Sequence, residues 1–535
     1  MKILVYSATN AATIRTSLGA PEYSYYFVLK EFLPALQEMA EVVVIDDPAE
    51  QVDAIYHECR RRGEGCVFLS FSPPHKTLAK LECPTLPVFA WEFDTIPDEI
   101  WLNDAAQDWA FMLRQFGQAI THSRSTVDAV RKVVPPAYPL LSVPSPVWDA
   151  FGALRECRRQ EGTRRIRGRG VVFDTAKLDL QLFLHADPER WHLLFKGEPA
   201  PEVVGEPEHL AEVSPPPASP AEPAHPPVES LADFLRATRR YAGAWYQMVL
   251  ADLLPAAVRG WLRRLRGRPA ILDRQEPESA TDSSPEVMAP EELDPFPQRP
   301  LFTPGDFSVE LNGVVFATVF NPYDGRKNWP DLISAFCCAF ADQPEAVLVF
   351  KLTHREYCSA VTEMLRFMAR LPAFRCRVLL MHGYLEDEDY RGLMQATAYV
   401  VNASFGEGQC LPLMEFLSCG KPAIAPSHSG MSDYIDEQVA FIVGSWSEAA
   451  SWPHDPRNAF RTCRQQIDWD SLHSAYLQAW ALYHDQPELY QQMGDRAIER
   501  MRGYCSRQAV IEQLDPFLRA VLGRVSTSEL ESAGV

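Results

Sequence analysis

The chain has 535 residues, 47% of them apolar and 23% charged, with a formal charge of −20. That length calls for two or three domains, each large enough to bury its own core, and the composition is that of a globular protein. The acidic balance argues against bulk nucleic-acid affinity, because a phosphate backbone needs Lys and Arg to displace its counterions.

The N-terminus, MKILVYSATN, runs into a short apolar strand without signal-peptide anatomy, and no apolar run is long enough to span a bilayer. The twelve cysteines are scattered from Cys59 to Cys505 with no CxxC pair. They read as reduced core thiols of a cytoplasmic protein without a structural zinc.

Residues 1–150 alternate apolar strands (KILVYSA, EVVVIDD, CVFLSFS, LPVFAWE, QAITHS) with helical patterns such as YYFVLKEFLPALQEMA and STVDAVRKVV. This alternation predicts an α/β domain with a parallel sheet wound on both faces. Ligands of such sheets sit beyond the carboxyl ends of the strands. The pattern resumes over 306–470 with NGVVFATVF, AVLVFKLT, RVLLMHG, AYVVNAS and KPAIAPS. Two doubly wound, Rossmann-like units imply two lobes facing across a cleft, and 471–535 reads as helices.

Residues 151–305 read as an insertion. Its segments 199–228 and 274–300 are rich in Pro, Glu and Ala and cannot bury enough apolar surface to fold. Between them, 231–269 carries Arg236, Arg239, Arg240, Arg259, Arg263, Arg264, Arg266 and Arg268 against Asp233 and Asp252, with Trp245, Tyr246 and Trp261 on an apolar side. A basic amphipathic segment with interfacial aromatics suits an anionic membrane surface; the other reading is a helical hairpin on the protein's own acidic surface.

GEGQCLPLMEFLSCG, residues 406–420, places Glu407 in a Gly-flanked loop and Glu415 eight positions later. Pro412 suits the first position of a helix running to about Cys419, and Gly420 suits its end. Free amides at that helix start favour a phosphate. Carboxylates instead accept hydrogen bonds from hydroxyls. Two such acceptors around a phosphate cradle fit a nucleotide sugar, while the bland alternative is a pair of solvated or capping glutamates.

The stretch NASFGEGQCLPLMEFLSCGKPAIAPSHSGMSDYI resembles the signature of retaining glycosyltransferases of the GT-B fold: a Glu, seven residues and a second Glu, with G-L-P between and G-x-P-x-x-A after. The resemblance implies that Glu407 holds hydroxyls of the donor sugar and Glu415 the ribose. It also implies that the loop Gly406, Gly408, Gln409, Cys410 and Leu411 faces the diphosphate. In FNPYDGRKNWPDLISAF, which opens with Phe320 and Asn321, Lys327 matches the family's diphosphate-binding lysine. The family's arginine five residues earlier is replaced by Pro322, which leaves Arg326 as its substitute. Gly19, in SLGAPEYSYY, takes the place of the family's Gly-rich loop.

On the acceptor side, Glu92 and Asp94 in FAWEFDTIPDEIW stand where many relatives carry a His, and His122 ends the fifth strand. His428 lies in the loop after PAIAPS. The implied function is transfer of a sugar, with retention, from a UDP- or GDP-sugar to a glycan or lipid-linked acceptor in surface-polysaccharide or glycolipid assembly. Neither a metal nor a cofactor is implied. An epimerase or hydrolase of the same fold, or a non-catalytic sugar-binding scaffold, remains the alternative.

Overall fold

A computed structural model describes residues 1–9, 23–157, 162–184 and 304–533, apart from 355 and 454. Gly19 and the expected linkers and basic segment within 199–300 lie outside the described residues.

The N-terminal lobe is built from β1 (Lys2–Tyr6), α1 (Ser24–Met39), β2 (Glu41–Val44), α2 (Pro48–Arg61), β3 (Cys66–Phe71), β4 (Thr85–Phe89), α3 (Trp109–Phe116), β5 (Ala119–Thr121), α4 (Arg124–Arg131) and β6 (Leu140–Ser142). The strands form one parallel sheet in the order β2-β1-β3-β4-β5-β6. Alternation along β1 explains why both faces are covered: Ile3 and Val5 join the core under α1, while Leu4 joins Val52, Tyr56 and Cys59 of α2. The helices start where local chemistry permits. Asp47 accepts from the amides of Ala49 and Glu50 ahead of Pro48, Asp108 caps α3 through Phe111 N at 2.8 Å, and Ser123 caps α4 through Thr126 N.

The second lobe contains β7 (Arg164–Asp174), β8 (Gly305–Leu311), β9 (Val314–Phe320), α5 (Trp329–Ala339), β10 (Ala346–Leu352), α6 (Cys358–Ala369), β11 (Arg377–Tyr384), α7 (Asp387–Ala396), β12 (Thr397–Val401), α8 (Leu411–Ser418), β13 (Ala423–Ala425) and β14 (Ala440–Ile442). Its eight strands run in the order β14-β13-β12-β9-β10-β11-β7-β8. The first six in that order are parallel, whereas β7 pairs antiparallel with both β11 and β8. This moves a boundary. Within the stretch expected to be an insertion, residues 164–174 form β7 of the second sheet, and its Val171 and Phe173 bury in the same core as Phe316 and Phe350.

After β14 come a hairpin, β15 (Ser445–Ser451) with β16 (Phe460–Ile467), and three helices, α9 (Trp469–Asp485), α10 (Pro487–Cys505) and α11 (Arg507–Ala533). The hairpin reaches back to the first lobe. Asp94 accepts from Cys463 N at 2.7 Å and from Thr462 Oγ1 at 2.9 Å, and the indole N–H of Trp452 donates to Thr95. α11 also returns, burying Val510, Leu514, Leu518 and Val521 in one core with Ile3, Phe32 and Leu69. The result is the two-lobed α/β arrangement that the GT-B resemblance implies, with the carboxyl ends of both sheets brought to the junction.

Candidate functional site

The site forms where the loop after β12 turns into α8. Cys410 stands before the helix in the left-handed region, at φ 59° and ψ 73°, and Pro412 occupies one of the first two helical positions. The helix therefore begins at Leu411, one residue before the expected Pro412. A non-glycine residue held in the left-handed region costs about 1 kcal/mol or more, which the surrounding packing must offset.

Glu407 is buried in the loop mouth, and its hydrogen-bond donors favour its charged form. Its Oε1 accepts from Lys327 Nζ at 2.7 Å, Ser404 Oγ at 2.6 Å and Asn402 Nδ2 at 3.2 Å. Burial would raise this carboxyl, but Lys327 and Arg326, together with the hydrogen bonds from Lys327 and Ser404, hold it below the usual carboxylate range. Lys327 reaches it from a 3-10 turn, Gly325–Lys327, between β9 and α5, which Asp324 caps through Arg326 N. Asn321 opens that connection by accepting from Tyr323 N at 3.0 Å.

Arg326 lies beside Lys327 with its guanidinium shared. It pairs with Asp324 Oδ2 at 2.7 Å and, across the lobe junction, with Glu92 Oε1 at 2.7 Å. Burial opposes the charge of Arg326, but Glu92 and Asp324 outweigh it and raise its pKa, while the Asp324 carboxyl is held down to about 2 against its own burial by Arg326 and Lys327. Burial pushes the Glu92 carboxyl up in spite of Arg326. Three carboxylates, Asp324, Glu92 and Glu407, thus meet two cations.

Further along α8, Glu415 Oε2 accepts from the Tyr390 hydroxyl of α7 at 2.7 Å. Burial pushes the Glu415 carboxyl up to about 7, with Glu31 adding to the rise and the Tyr390 bond and Lys30 opposing it.

The glycines of the motif serve lobe contact. A Cβ on Gly406 would lie 2.9 Å from Glu92 O, and one on Gly408 2.6 Å from Ala90 Cβ. Gly430, on the loop after β13, backs the same segment so closely that a Cβ would lie 2.2 Å from Gly408 O. The Gln409 side chain bridges the junction, accepting from Ser145 N at 3.1 Å and donating to Ser145 Oγ at 3.0 Å. Leu411 packs against the cores of both lobes, and the Cys410 thiol lies 3.3 Å from Asn402 Nδ2. A further bridge joins the hydroxyls of Tyr23 and Thr353 at 3.2 Å.

The expected acceptor-side residues do not form one group. Glu92 faces Arg326, whereas Asp94 is used by the hairpin and Lys132. His122 is fully buried beside Phe32, its Nδ1 3.0 Å from Val143 O, and burial brings its pKa down to about 4. His428 stands closer to the loop, with Nδ1 3.1 Å from Ser429 Oγ, which in turn accepts from Glu407 N; burial brings its pKa to about 4 as well. Sequence reasoning missed Tyr390, Asn402, Ser404, Asp324 and Ser145. Asn402, Ser404 and Asp324 carried a local signal, standing within the two quoted segments, whereas Tyr390 and Ser145 carried none.

Among the described residues no group of three or more His, Cys, Asp or Glu side chains is placed to hold a metal ion, and no helix is long and apolar enough to cross a membrane. No protein-family model matches the chain, and no curated protein matches it. Among solved structures, the chain is similar to a glycosyltransferase from Rickettsia africae (8% identity, TM-score 0.44, covering 97% of this chain and 98% of that one). It is similar to a sucrose-phosphate synthase from Thermosynechococcus elongatus (12% identity, TM-score 0.45, 98% and 100%). HepE of Anabaena in complex with UDP-glucose is at the same distance (12% identity, TM-score 0.45, 97% and 100%).

Proposed function

We propose that this chain is a glycosyltransferase that moves a sugar, with retention of configuration, from a UDP- or GDP-sugar to a hydroxyl of a glycan or lipid-linked acceptor. The observation that carries the reading is the buried Lys327–Glu407 pair at the start of α8, with Arg326 beside it and Glu415 on the same helix. Two segments separated by some eighty residues, 326–327 and 407–415, supply these side chains.

In this reading Lys327, Arg326 and the N-terminus of α8 stabilise the negative charge that grows on the departing diphosphate. Glu407, kept ionised, accepts hydrogen bonds from hydroxyls of the donor sugar, and Glu415 accepts from the ribose. The bond from the anomeric carbon to the diphosphate oxygen breaks, and a bond from that carbon to the acceptor oxygen forms on the same face. The acceptor's proton passes to the departing phosphate oxygen, so neither glutamate serves as the base. Closing the lobes around the donor excludes the water that would hydrolyse it.

The test is a thermal-shift screen against UDP-, GDP-, ADP- and CMP-sugars. The cognate donor at a hundred times its dissociation constant should stabilise the fold by about 2.7 kcal/mol. A flat response to all four classes sinks the reading, and donor turnover that gives free sugar with every acceptor tried favours a hydrolase.

The basic segment 231–269 is the proposed contact with an anionic membrane face, which suits a lipid-linked acceptor in surface-glycan assembly. Deleting 229–270 should abolish flotation with phosphatidylglycerol-containing liposomes at low salt. Equal flotation of the two proteins rejects that role.

A further inference from the structure

The hydroxyl of Tyr390 has one proton to give, and it gives it to Glu415 Oε2 at 2.7 Å. The geometry is fixed from both sides. Tyr390 lies in the first turn of α7, its amide bonded to Glu386 O at 2.9 Å, and its ring meets Phe416 of α8 edge-on at 6.4 Å. Glu415 lies one turn further into α8 than the loop that carries Glu407. A free glutamate has three side-chain torsions, and holding it in one rotamer costs entropy unless another group locks it. Tyr390 is that lock, supplied by a neighbouring helix and not by the motif.

We propose that Tyr390 is a positioning residue for recognition of the ribose of a nucleoside diphosphate: it orients the Glu415 carboxylate so that its remaining lone pairs receive the vicinal 2′- and 3′-hydroxyls. The inference rests on the donor-site reading above and names the part of the ligand that this end of α8 distinguishes. A carboxylate oxygen has two lone pairs, so the bond from Tyr390 leaves acceptor capacity on Oε2 as well as on Oε1. A 2′-deoxyribose offers one hydroxyl fewer and leaves part of that capacity unused. Lys30 and Glu31 of α1, on the facing lobe, are the charged groups acting on Glu415, so its ionisation is governed by burial, by Tyr390 and by that pair.

The sign of the pH effect follows. Tyr390 donates to the ionised carboxylate and so favours it; removing the hydroxyl raises the pKa of Glu415 from its present value of about 7. Protonated Glu415 loses acceptor capacity, so nucleotide affinity falls as pH drops through that pKa. Loss of the Tyr390 hydroxyl therefore moves this acid limb to higher pH, a change that a merely structural role would not produce.

The experiment is calorimetric titration of the full chain, and of Tyr390→Phe and Glu415→Ala, with UDP, GDP, ADP and CDP and with the 2′-deoxy form of whichever binds tightest, from pH 5.5 to 8.5. Tyr390→Phe keeps the ring and its packing on Phe416. It should weaken the ribonucleotide about tenfold, shrink the preference over the deoxy form, and shift the acid limb upward. With saturating donor, kcat should stay within about twofold, because the contact holds the substrate equally in ground and transition states. Unchanged affinity and an unmoved acid limb in Tyr390→Phe, alongside weakened binding in Glu415→Ala, overturn the inference and leave the donor site standing. Wild-type binding in Glu415→Ala, or no binding of any diphosphate, overturns both.

Discussion

Replacing Lys327 with Ala should abolish measurable sugar transfer and also lower the stability of the fold. Lys327 and Glu407 are largely buried, at 16% and 6% side-chain exposure, so the variant leaves an unpaired carboxylate in a site sealed by Asn402 and Ser404. Breaking a buried ion pair from one side costs about 3–5 kcal/mol. In the proposed role, removing one preorganised charge from the leaving group should cost a further factor of about a hundred to a thousand in turnover. The two losses separate in a double variant. Lys327→Met with Glu407→Gln replaces the pair by neutral groups of similar shape and should recover most of the thermal stability, yet remain inactive. A double variant that recovers activity as well would show that the pair is scaffold and nothing more.

Glu92→Gln should act in the opposite direction, tightening binding of UDP or GDP by about tenfold. Arg326 can stabilise a diphosphate only to the extent that its own carboxylate neighbours release it, and Glu92 is the one that comes from the facing lobe. In the free protein Glu92 stands on the guanidinium where an anion would be attracted. Burial already raises its carboxyl, and an approaching diphosphate raises it further, so binding draws in a proton. Wild-type affinity should accordingly gain a component that strengthens as pH falls toward the Glu92 pKa, and the Gln variant should lack it. The same substitution should leave the melting temperature of the ligand-free protein unchanged or slightly raised at neutral pH, because burial of the Glu92 charge outweighs its pairing with Arg326. Titration calorimetry in buffers of different ionisation enthalpy reads the proton directly, and weaker binding by Glu92→Gln would refute the argument.

The sequence reached the fold through its buried strands, which must be apolar on both faces, and CVFLSF and AVLVFKL could hardly be mistaken. It reached Glu407 and Glu415 because several fixed spacings coincide within one short segment. Elements whose residues are individually unremarkable escaped. β7 reads RRIRGRGVVFD, a half-exposed strand near a sheet edge, and its partner β8 lies beyond residue 300. The hairpin β15–β16 has mostly exposed polar residues on its first strand and no apolar alternation to announce it. Contacts across the junction were equally silent: Gln409 with Ser145 spans 264 positions, and nothing near Tyr390 marks it as the partner of Glu415. Glu92 shows the converse, a residue singled out for the acceptor side whose partner, Arg326, only the fold supplies.

The return of α11 to the first lobe bears on how the protein is made. Val510, Leu514, Leu518 and Val521 complete the core that Ile3, Phe32 and Leu69 begin, so contacts separated by some five hundred residues close that layer. On a ribosome, the lobe that emerges first waits for the segment that emerges near the end. Until residue 521 has been synthesised, the apolar side of α1 and β3 meant for α11 lacks its native cover, and long-range closure of this kind is slow. The N-terminal lobe is therefore expected to engage chaperones during translation, whereas the sheet of the second lobe has all its strands in hand once β14 has left the tunnel.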